Sequence, residues 1–239
     1  MTNLNEQMQP LIDQTIERLA SNKFKQDPLL EKDWSLIASI VGSVQKRHGL
    51  ILEATILKAI ENSKNFTAWK EPKFRVSRQA NTLTANVNRP KAKPDWLNLL
   101  GVELQYPSHD QDDVDQFLQI DCIAYNKETS SVTGLEIKRG YSHHDAGKKK
   151  AILRSALATR MLIKSYAEHQ GFKVSYADFF ILNFYKSDEF HNEISKTKDD
   201  LDTLFEPGIL EQIESVNHYF RKEILQLISS DAESTKQPT

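Results

Sequence analysis

Gly134-Leu135-Glu136-Ile137-Lys138-Arg139-Gly140 is a segment in which apolar and charged residues alternate between two glycines. Such alternation predicts a β-strand, because successive side chains of a strand point to opposite faces. Glu136 and Lys138 then share one face, and Ile137 lies on the other. A carboxylate and an ammonium group are therefore expected side by side on the polar face of this strand.

A second carboxylate, Asp121, lies fifteen positions before Glu136, inside the apolar segment 117–124. This segment also has the composition of a strand, and the polar residues 125–131 predict a turn between the two. In an antiparallel hairpin with Asp121 on the face of Glu136, two carboxylates and one ammonium group converge. Carboxylate oxygens suit Mg²⁺, and a neighbouring lysine can hold a water and stabilise phosphate charge. The pattern predicts metal-assisted phosphodiester cleavage, with a merely solvated amphipathic hairpin as the alternative.

This arrangement, Asp-x14-Glu-x-Lys on two strands, resembles the PD-(D/E)xK nuclease superfamily, which includes restriction endonucleases and repair nucleases. The proline of the motif is absent, since Ile120 precedes Asp121, but that position varies within the superfamily. The resemblance implies that Asp121 and Glu136 ligate a metal ion with help from the Ile137 carbonyl. Lys138 would orient or activate the attacking water. Mg²⁺ is the expected cofactor, and Mn²⁺ is expected to substitute for it.

The helix before the sheet in such nucleases often carries Gly-x-x-x-Glu, whose glutamate reaches the metal site. Residues 49–53 of this chain, Gly-Leu-Ile-Leu-Glu, match that pattern. The resemblance therefore implies that Glu53 completes the site. An ordinary exposed glutamate on a helix is the alternative.

Other titratable residues near the motif have competing interpretations. Asp115, in the acidic stretch 109–115, competes with Asp121 for the role of ligand. Asp121 is preferred because it interrupts an apolar strand, where a carboxylate needs a function, whereas the acidic stretch is typical of a solvated turn. His143 and His144 could shuttle protons near neutral pH. An exposed loop is the preferred interpretation for both.

Hydrophobic periodicity predicts a helix, three strands, a helix and a strand from about residue 49 to 185. This order resembles the α-β-β-β-α-β core of the PD-(D/E)xK superfamily. The first predicted element is an N-terminal helix at 4–22, with Pro10 as the alternative start. A helical region at 33–62 follows, capped by Asp33 and interrupted at Gly49. The remaining predicted elements are short strands at 74–78 and 82–87, a first core strand at 101–106, the hairpin, a helix at 146–169 closed by Gly171, a buried strand at 174–185 and a helix at 208–229. The expected fold class is α/β, restriction-endonuclease-like, with a central mixed sheet and extra terminal helices. The expected division is an N-terminal helical extension (1–32), a nuclease core (33–190) and a C-terminal helix and tail (191–239).

Basic residues are the candidates for contacts with DNA phosphates. They are Lys148, Lys149, Lys150 and Arg154 in the predicted helix and Lys91 and Lys93 in a proline-rich loop. Cations at a helix N-terminus oppose the helix dipole, which suggests a role other than helix stability. Solubility and an ordinary surface loop are the alternatives. The net charge of −2 does not favour nucleic-acid binding, but bound metal and a local basic groove can offset it.

Composition favours a globular protein, since 39% of the 239 residues are hydrophobic and 9% aromatic. Neither a membrane span nor a secretory signal is predicted, so a cytoplasmic location is the default expectation. The single cysteine, Cys122, excludes an intramolecular disulfide and a cysteine-rich zinc site.

The preferred function is a Mg²⁺-dependent DNA endonuclease, with a type II restriction endonuclease as the first subclass and a repair or phage-type nuclease next. The glutamine motif of exonuclease-type relatives is not evident between Ala146 and Lys164. Two alternatives stay open: a non-catalytic nucleic-acid-binding or scaffold protein with the same fold, and an unrelated α/β protein with an accidental pattern. The recognition sequence, the choice of DNA over RNA and the oligomeric state, with a homodimer among the options, also stay open.

Overall fold

A computed structural model of the chain describes residues 3–21, 27–87, 96–108, 113–140, 145–185 and 189–234. The chain divides into two compact units, Met1–Ala59 with Gly208–Thr239 and Ile60–Pro207. In the described ranges the helices are α1 (Leu4–Ser21), α2 (Lys32–Glu61), α3 (Arg78–Thr84), α4 (Ala146–His169), α5 (Leu201–Leu204) and α6 (Ile209–Ser234). The strands are β1 (Phe66–Ser77), β2 (Val114–Asn126), β3 (Ser131–Lys138), β4 (Tyr176–Asn183) and β5 (Ser195–Thr197).

The first unit contains α1, α6 and nearly all of α2. The buried residues of α1 recur at three- and four-residue intervals, so they form one stripe; they are Leu4, Met8, Ile12, Thr15 and Leu19. α1 packs against α6, and the Tyr219 hydroxyl donates to Asp13 Oδ1 at 2.9 Å. Both terminal helices were predicted, and α6 extends to Ser234 instead of residue 229.

Three predicted helix boundaries in this unit are wrong. Pro10 lies inside α1, because the apolar stripe already begins at Leu4 and holds the preceding turns against their neighbours. α2 begins at Lys32, before Asp33, since the Ser35 N–H donates to the Glu31 carbonyl and closes the first turn there. α2 also continues through Gly49, because a single glycine weakens a helix by only about 1 kcal/mol and buried residues follow on its C-terminal side.

The second unit is built on a five-stranded mixed sheet in the order β1-β2-β3-β4-β5. β1, β2 and β3 pair antiparallel, and β4 and β5 continue the sheet in parallel with β3. α4 connects β3 to β4 and packs against both strands. The order α2, β1, β2, β3, α4, β4 confirms the predicted α/β fold class.

The first strand of the sheet is β1, and the prediction of a core strand at residues 101–106 is wrong. Residues Leu97–Gly101 form a 3-10 turn. In the extended chain after this turn, backbone N–H groups donate hydrogen bonds to α4 and not to a neighbouring strand. The Leu104 N–H donates to the Met161 carbonyl at 2.8 Å, and the Tyr106 N–H donates to Ser165 Oγ at 3.0 Å. β1 is an edge strand, the position in which Pro72 is tolerated.

The strand predicted at residues 82–87 is also wrong, because most of that segment belongs to α3 and the turn after it. Ser77 Oγ accepts a hydrogen bond from the Ala80 N–H at 3.2 Å and caps the helix at the end of β1. The strand predicted at residues 74–78 corresponds to the last part of β1.

The hairpin, α4 and β4 agree with their predictions. α4 spans Ala146–His169 as predicted, and Gly171 beyond it has a φ of 89°, a left-handed conformation that suits glycine. Gly134 in β3 marks a close approach of the sheet to α4. A Cβ atom there would lie 2.5 Å from both Ile163 Cδ1 and Phe179 Cδ2.

No helix among the described residues is both long and apolar enough to cross a membrane. The division at residues 32/33 and 190/191 stays a prediction.

Candidate active site

The candidate site begins where β2 and β3 stop pairing. The β2–β3 pairs run from the turn of the hairpin to Cys122 and Leu135, and no pair follows at Asp121 and Glu136, the next residue of each strand. At the same point β2 shifts its register against β1, since Trp69 pairs with Ile123 and Glu71 with Ile120. β2 thus carries one extra residue around Asp121, which is the character of a β-bulge. A bulge bends the strand and redirects a side chain.

The redirected side chain is that of Asp121, which is only 5% exposed. Its Oδ2 accepts a hydrogen bond from the Ile137 N–H at 2.9 Å, in the position that a β2 carbonyl would hold in a continuing ladder. Gln119 Nε2 lies 3.4 Å from the other carboxylate oxygen, Oδ1. Because the N–H and C=O of a strand residue point toward the same neighbouring strand, the Ile137 carbonyl is also directed to the Asp121 side of β3.

Glu136 and Lys138 flank Ile137, and their side chains lie on the face of β3 opposite to the Ile137 side chain. Their side chains are 25% and 26% exposed, and Lys138 Nζ is in direct contact with Glu136 Oε1. Glu136 also lines a cleft of about 190 Å³ together with Gln119 of β2 and residues of α4. The structure therefore brings Asp121, Glu136 and Lys138 to one end of the β2–β3 hairpin, as the spacing in the sequence predicts.

The thiol of Cys122 lies next to Asp121 in β2 and is fully buried. Burial raises the pKa of this thiol to about 12, and the negative charge of Asp121 adds to the rise. Cys122 is therefore a neutral, inert part of the strand at neutral pH.

Two carboxylates and a directed carbonyl are hard oxygen donors of the kind that Mg²⁺ takes in proteins, where substrate oxygens and waters complete the coordination. Within the described ranges, no three His, Cys, Asp or Glu side chains cluster. The residues fit a metal ion held by two protein carboxylates, Asp121 and Glu136, and they do not form a closed protein cage.

A model of the HinfI type II restriction endonuclease family matches residues 2–205. The chain belongs to the HinfI type II restriction endonuclease family. This family is of the PD-(D/E)xK type, so the superfamily predicted from Asp121, Glu136 and Lys138 is confirmed. No curated protein and no solved structure matches the chain.

Membership of the HinfI family also confirms the predicted function. The protein is a type II restriction endonuclease, a nuclease that cleaves DNA. DNA is the substrate, and type II restriction endonucleases generally use divalent metal ions. The interpretations as a scaffold protein or as an unrelated α/β protein are not supported.

Glu53 of this HinfI-family chain lies in α2, in the first unit, and its side chain is half-buried. Its role as a further carboxylate of the site stays a prediction. Asp115, the competing ligand, lies at the exposed start of β2, six residues before Asp121, where its carboxylate accepts a hydrogen bond from Asn81 Nδ2.

The basic residues at the start of α4 have different surroundings. Lys148 is exposed, and Lys150 is partly exposed. Lys149 Nζ lies 3.0 Å from Glu189 Oε1, whose side chain is buried, and Arg154 Nε donates to the Val87 carbonyl at 3.2 Å. Lys91, Lys93, His143, His144 and residues 109–112 lie outside the described residues.

Two residues that the sequence analysis missed face Glu136 across the cleft. Ser155 and Thr159 lie one turn apart on α4 and line the cleft, and the buried Thr159 hydroxyl has no hydrogen-bond partner among the described residues. Gln119, beside Asp121, was missed as well. The two-residue period of β2 could have indicated Gln119, whereas the α4 residues depend on how the helix docks.

Proposed function

We propose that this restriction endonuclease is Mg²⁺-dependent and hydrolyses DNA phosphodiester bonds at the end of the β2–β3 hairpin. The observation that carries the proposal is the hydrogen bond from the Ile137 N–H to Asp121, which fixes one carboxylate beside the strand that bears Glu136 and Lys138. A buried carboxylate that is already oriented needs little rearrangement to take part in chemistry.

The proposed metal ligands are Asp121, Glu136 and the carbonyl of Ile137, with Glu53 as a further carboxylate. Asp121 Oδ2 is engaged by the Ile137 N–H, so Oδ1 is the oxygen proposed to face the ion. When bound, Mg²⁺ supplies positive charge for the phosphate oxygens and lowers the pKa of a coordinated water. Mn²⁺ is proposed to substitute, because it also favours oxygen ligands.

Lys138 is proposed to act in the chemical step. It is a cation, so it does not ligate a metal ion, and its contact with Glu136 keeps the ammonium group within the site. From there it can hold the attacking water by a hydrogen bond and stabilise charge that develops on the phosphate.

Lys148 and Lys150 are the members of the basic set best placed to contact DNA phosphates, because neither is engaged by a buried carboxylate of the described residues as Lys149 is. Arg154, Lys149, Lys91 and Lys93 complete the proposed set.

A homodimer is part of the same proposal: cutting both strands of a duplex breaks two phosphodiester bonds, and the hairpin supplies one pair of site carboxylates per chain. With DNA as the substrate, we place the enzyme in the cytoplasm.

A plasmid-cleavage assay tests the proposal. Purified wild type should convert supercoiled DNA to nicked and linear forms with Mg²⁺ or Mn²⁺ and should leave it intact in EDTA. The variant Asp121→Asn, confirmed as folded by thermal unfolding, should not cut. Cleavage in EDTA at the same rate as in Mg²⁺ would reject the metal-dependent mechanism, and cleavage by Asp121→Asn at the wild-type rate would reject the site.

A further inference from the structure

The N-terminal half of β2 and the C-terminal half of β1 form a two-stranded ribbon, defined here as residues 71–77 and 114–120. The β2–β3 pairs begin only at Cys122, so within the described sheet this half of β2 pairs with β1 alone. Along β2 the exposure alternates, and one face carries the exposed residues Asp115, Phe117 and Gln119. Gln119 reaches toward Asp121, so this face is continuous with the candidate active site.

Phe117 is 63% exposed in the middle of this ribbon. Its cross-strand partner is Arg75, so the two residues are neighbours on adjacent strands. At about 3.3 Å per residue, Phe117 lies roughly 13 Å along β2 from Asp121. That length corresponds to about four nucleotide steps of a DNA strand at about 3.4 Å each.

Phe117 forms one wall of a pocket of about 500 Å³. Its lining includes three aromatic side chains, two cations and one carboxylate, which are Tyr106, Phe117, Tyr166, Lys73, Arg75 and Glu71, beside Val114 and Gln170. This volume lies in the range of small-ligand sites, and its composition, apolar walls with a few convergent polar groups, is typical of them.

The polar groups of the pocket are held in place by hydrogen bonds. The Tyr166 hydroxyl donates to Glu71 Oε2 at 2.6 Å, and Glu71 Oε1 accepts from the Lys73 N–H at 2.8 Å. The Tyr106 hydroxyl accepts from the Arg75 N–H at 2.9 Å, and the Arg75 guanidinium lies 5.0 Å from the centre of the Tyr106 ring. Each carboxylate oxygen can accept a second bond, so Glu71 can still receive a donor from a ligand.

We propose that this pocket binds one nucleobase of the DNA substrate, unstacked from its neighbours; this inference rests on the proposed function. The base stacks on Phe117, and its exocyclic amino group donates to Glu71. Lys73 and Arg75 contact the adjacent phosphate. A flat aromatic wall accepts any base by stacking, whereas the Glu71 carboxylate favours bases with an amino group over thymine.

The test combines substitutions of Phe117 with DNA duplexes that lack a single base. Wild-type cleavage first locates the cut site, and binding is then measured with the Asp121→Asn variant on duplexes that carry one abasic position each. Adding Phe117→Ala should weaken binding to intact DNA about tenfold, whereas Phe117→Tyr, which keeps the ring, should bind normally. At one abasic position Phe117→Ala should have no further effect. Tyr176→Ala removes another exposed aromatic ring, 57% exposed on β4, and should leave binding unchanged.

The outcomes separate the pocket from the nuclease. If the wild type cuts DNA but Phe117→Ala weakens binding equally at every abasic position, or not at all, the pocket is rejected and the nuclease stands. If the wild type cuts no DNA, the proposed function is rejected. The pocket is then titrated with deoxynucleoside monophosphates and with deoxyribose 5-phosphate: binding of the nucleotides alone, abolished in Phe117→Ala, supports it, and no binding of nucleotides rejects it.

Discussion

The Asp121 carboxylate accepts a hydrogen bond from the Ile137 amide at 2.9 Å, so a side chain of β2 occupies a ladder position of β3. This hydrogen bond has a structural role and a chemical role. In its structural role it satisfies a buried N–H group, and in its chemical role it fixes the direction of a carboxylate that is proposed to bind metal.

Two substitutions of Asp121 should separate these two roles. In Asp121→Asn the amide oxygen can still accept from Ile137, so stability should change by less than about 1 kcal/mol while cleavage falls on the order of 100-fold or more. In Asp121→Ala the Ile137 N–H loses its acceptor, and stability should fall by about 1–3 kcal/mol in addition. Denaturant unfolding and plasmid cleavage measure both. Equal stability of the two variants would contradict the structural role of the hydrogen bond.

Lys138→Met keeps the length of the side chain and removes its charge. Cleavage should fall on the order of 100-fold, because the variant lacks the ammonium group that is proposed to stabilise charge in the transition state. Binding of DNA should change little, and metal binding should stay the same or tighten, since a positive charge has left the site. Rapid-quench cleavage and calorimetry measure these quantities. Lys127→Met, at the turn of the same hairpin, is the matched control, and a similar decrease in both variants would show that charge at the site is not the cause.

Glu53→Gln tests the carboxylate of α2. If Glu53 completes the metal site, the apparent affinity for Mg²⁺ should fall on the order of tenfold with no change in thermal stability measured without metal. Glu61→Gln, at the end of the same helix, serves as the control. A Mg²⁺ dependence of cleavage identical to that of the wild type would remove Glu53 from the site.

The lysines at the start of α4 should divide into two groups. Replacing Lys148 and Lys150 by alanine should lower DNA affinity and reduce the salt slope by about 1 for each phosphate that the variant no longer neutralises. Lys149→Ala should in addition destabilise the fold, because it removes a charged partner of the buried Glu189. Filter binding at several salt concentrations and thermal unfolding distinguish the groups. An unchanged slope in the double variant would leave both lysines as solubilising surface.

Cys122 should make stability depend on alkaline pH. Its pKa in the folded protein is about 12, above the value of about 8.5 in an unfolded chain. The thiol therefore contributes stability that is fully present below about pH 8.5 and is lost as the pH rises toward 12. Between these limits the wild type should lose up to about 1.4 kcal/mol more per pH unit than Cys122→Ala. Parallel slopes for the two proteins would mean that the thiol ionises equally in both states.

The sequence was sufficient for the hairpin because its pattern is local. Glu136 and Lys138 share a face by simple alternation, and Asp121 interrupts an apolar run that needs no alignment to notice. α4 and β4 were also predictable, since one has a long amphipathic period with a Gly171 terminator and the other a continuous apolar run.

The errors arose where tertiary contacts override local preference. β1 is a polar edge strand with Pro72, so its composition resembles that of a loop. The segment 101–106 is more apolar, but its backbone N–H groups donate to a carbonyl and a hydroxyl group of α4 and not to a strand. The bulge at Asp121 has no signature in the sequence, because it is a relation between β2 and β1. For the same reason the facing residues Ser155 and Thr159 could not be foreseen.

Gly134 has a consequence for the register of β3, the strand that carries Glu136 and Lys138. A slip of β3 by one residue would turn Glu136 and Lys138 to the opposite face of the sheet, as in any strand. Here a slip would also bring Thr133 or Leu135 to the place where even a Cβ atom lies 2.5 Å from Ile163 and Phe179. The close approach to α4 therefore excludes the misaligned hairpins by steric overlap. A residue without a side chain thus keeps Glu136 and Lys138 on the face where the proposed site lies.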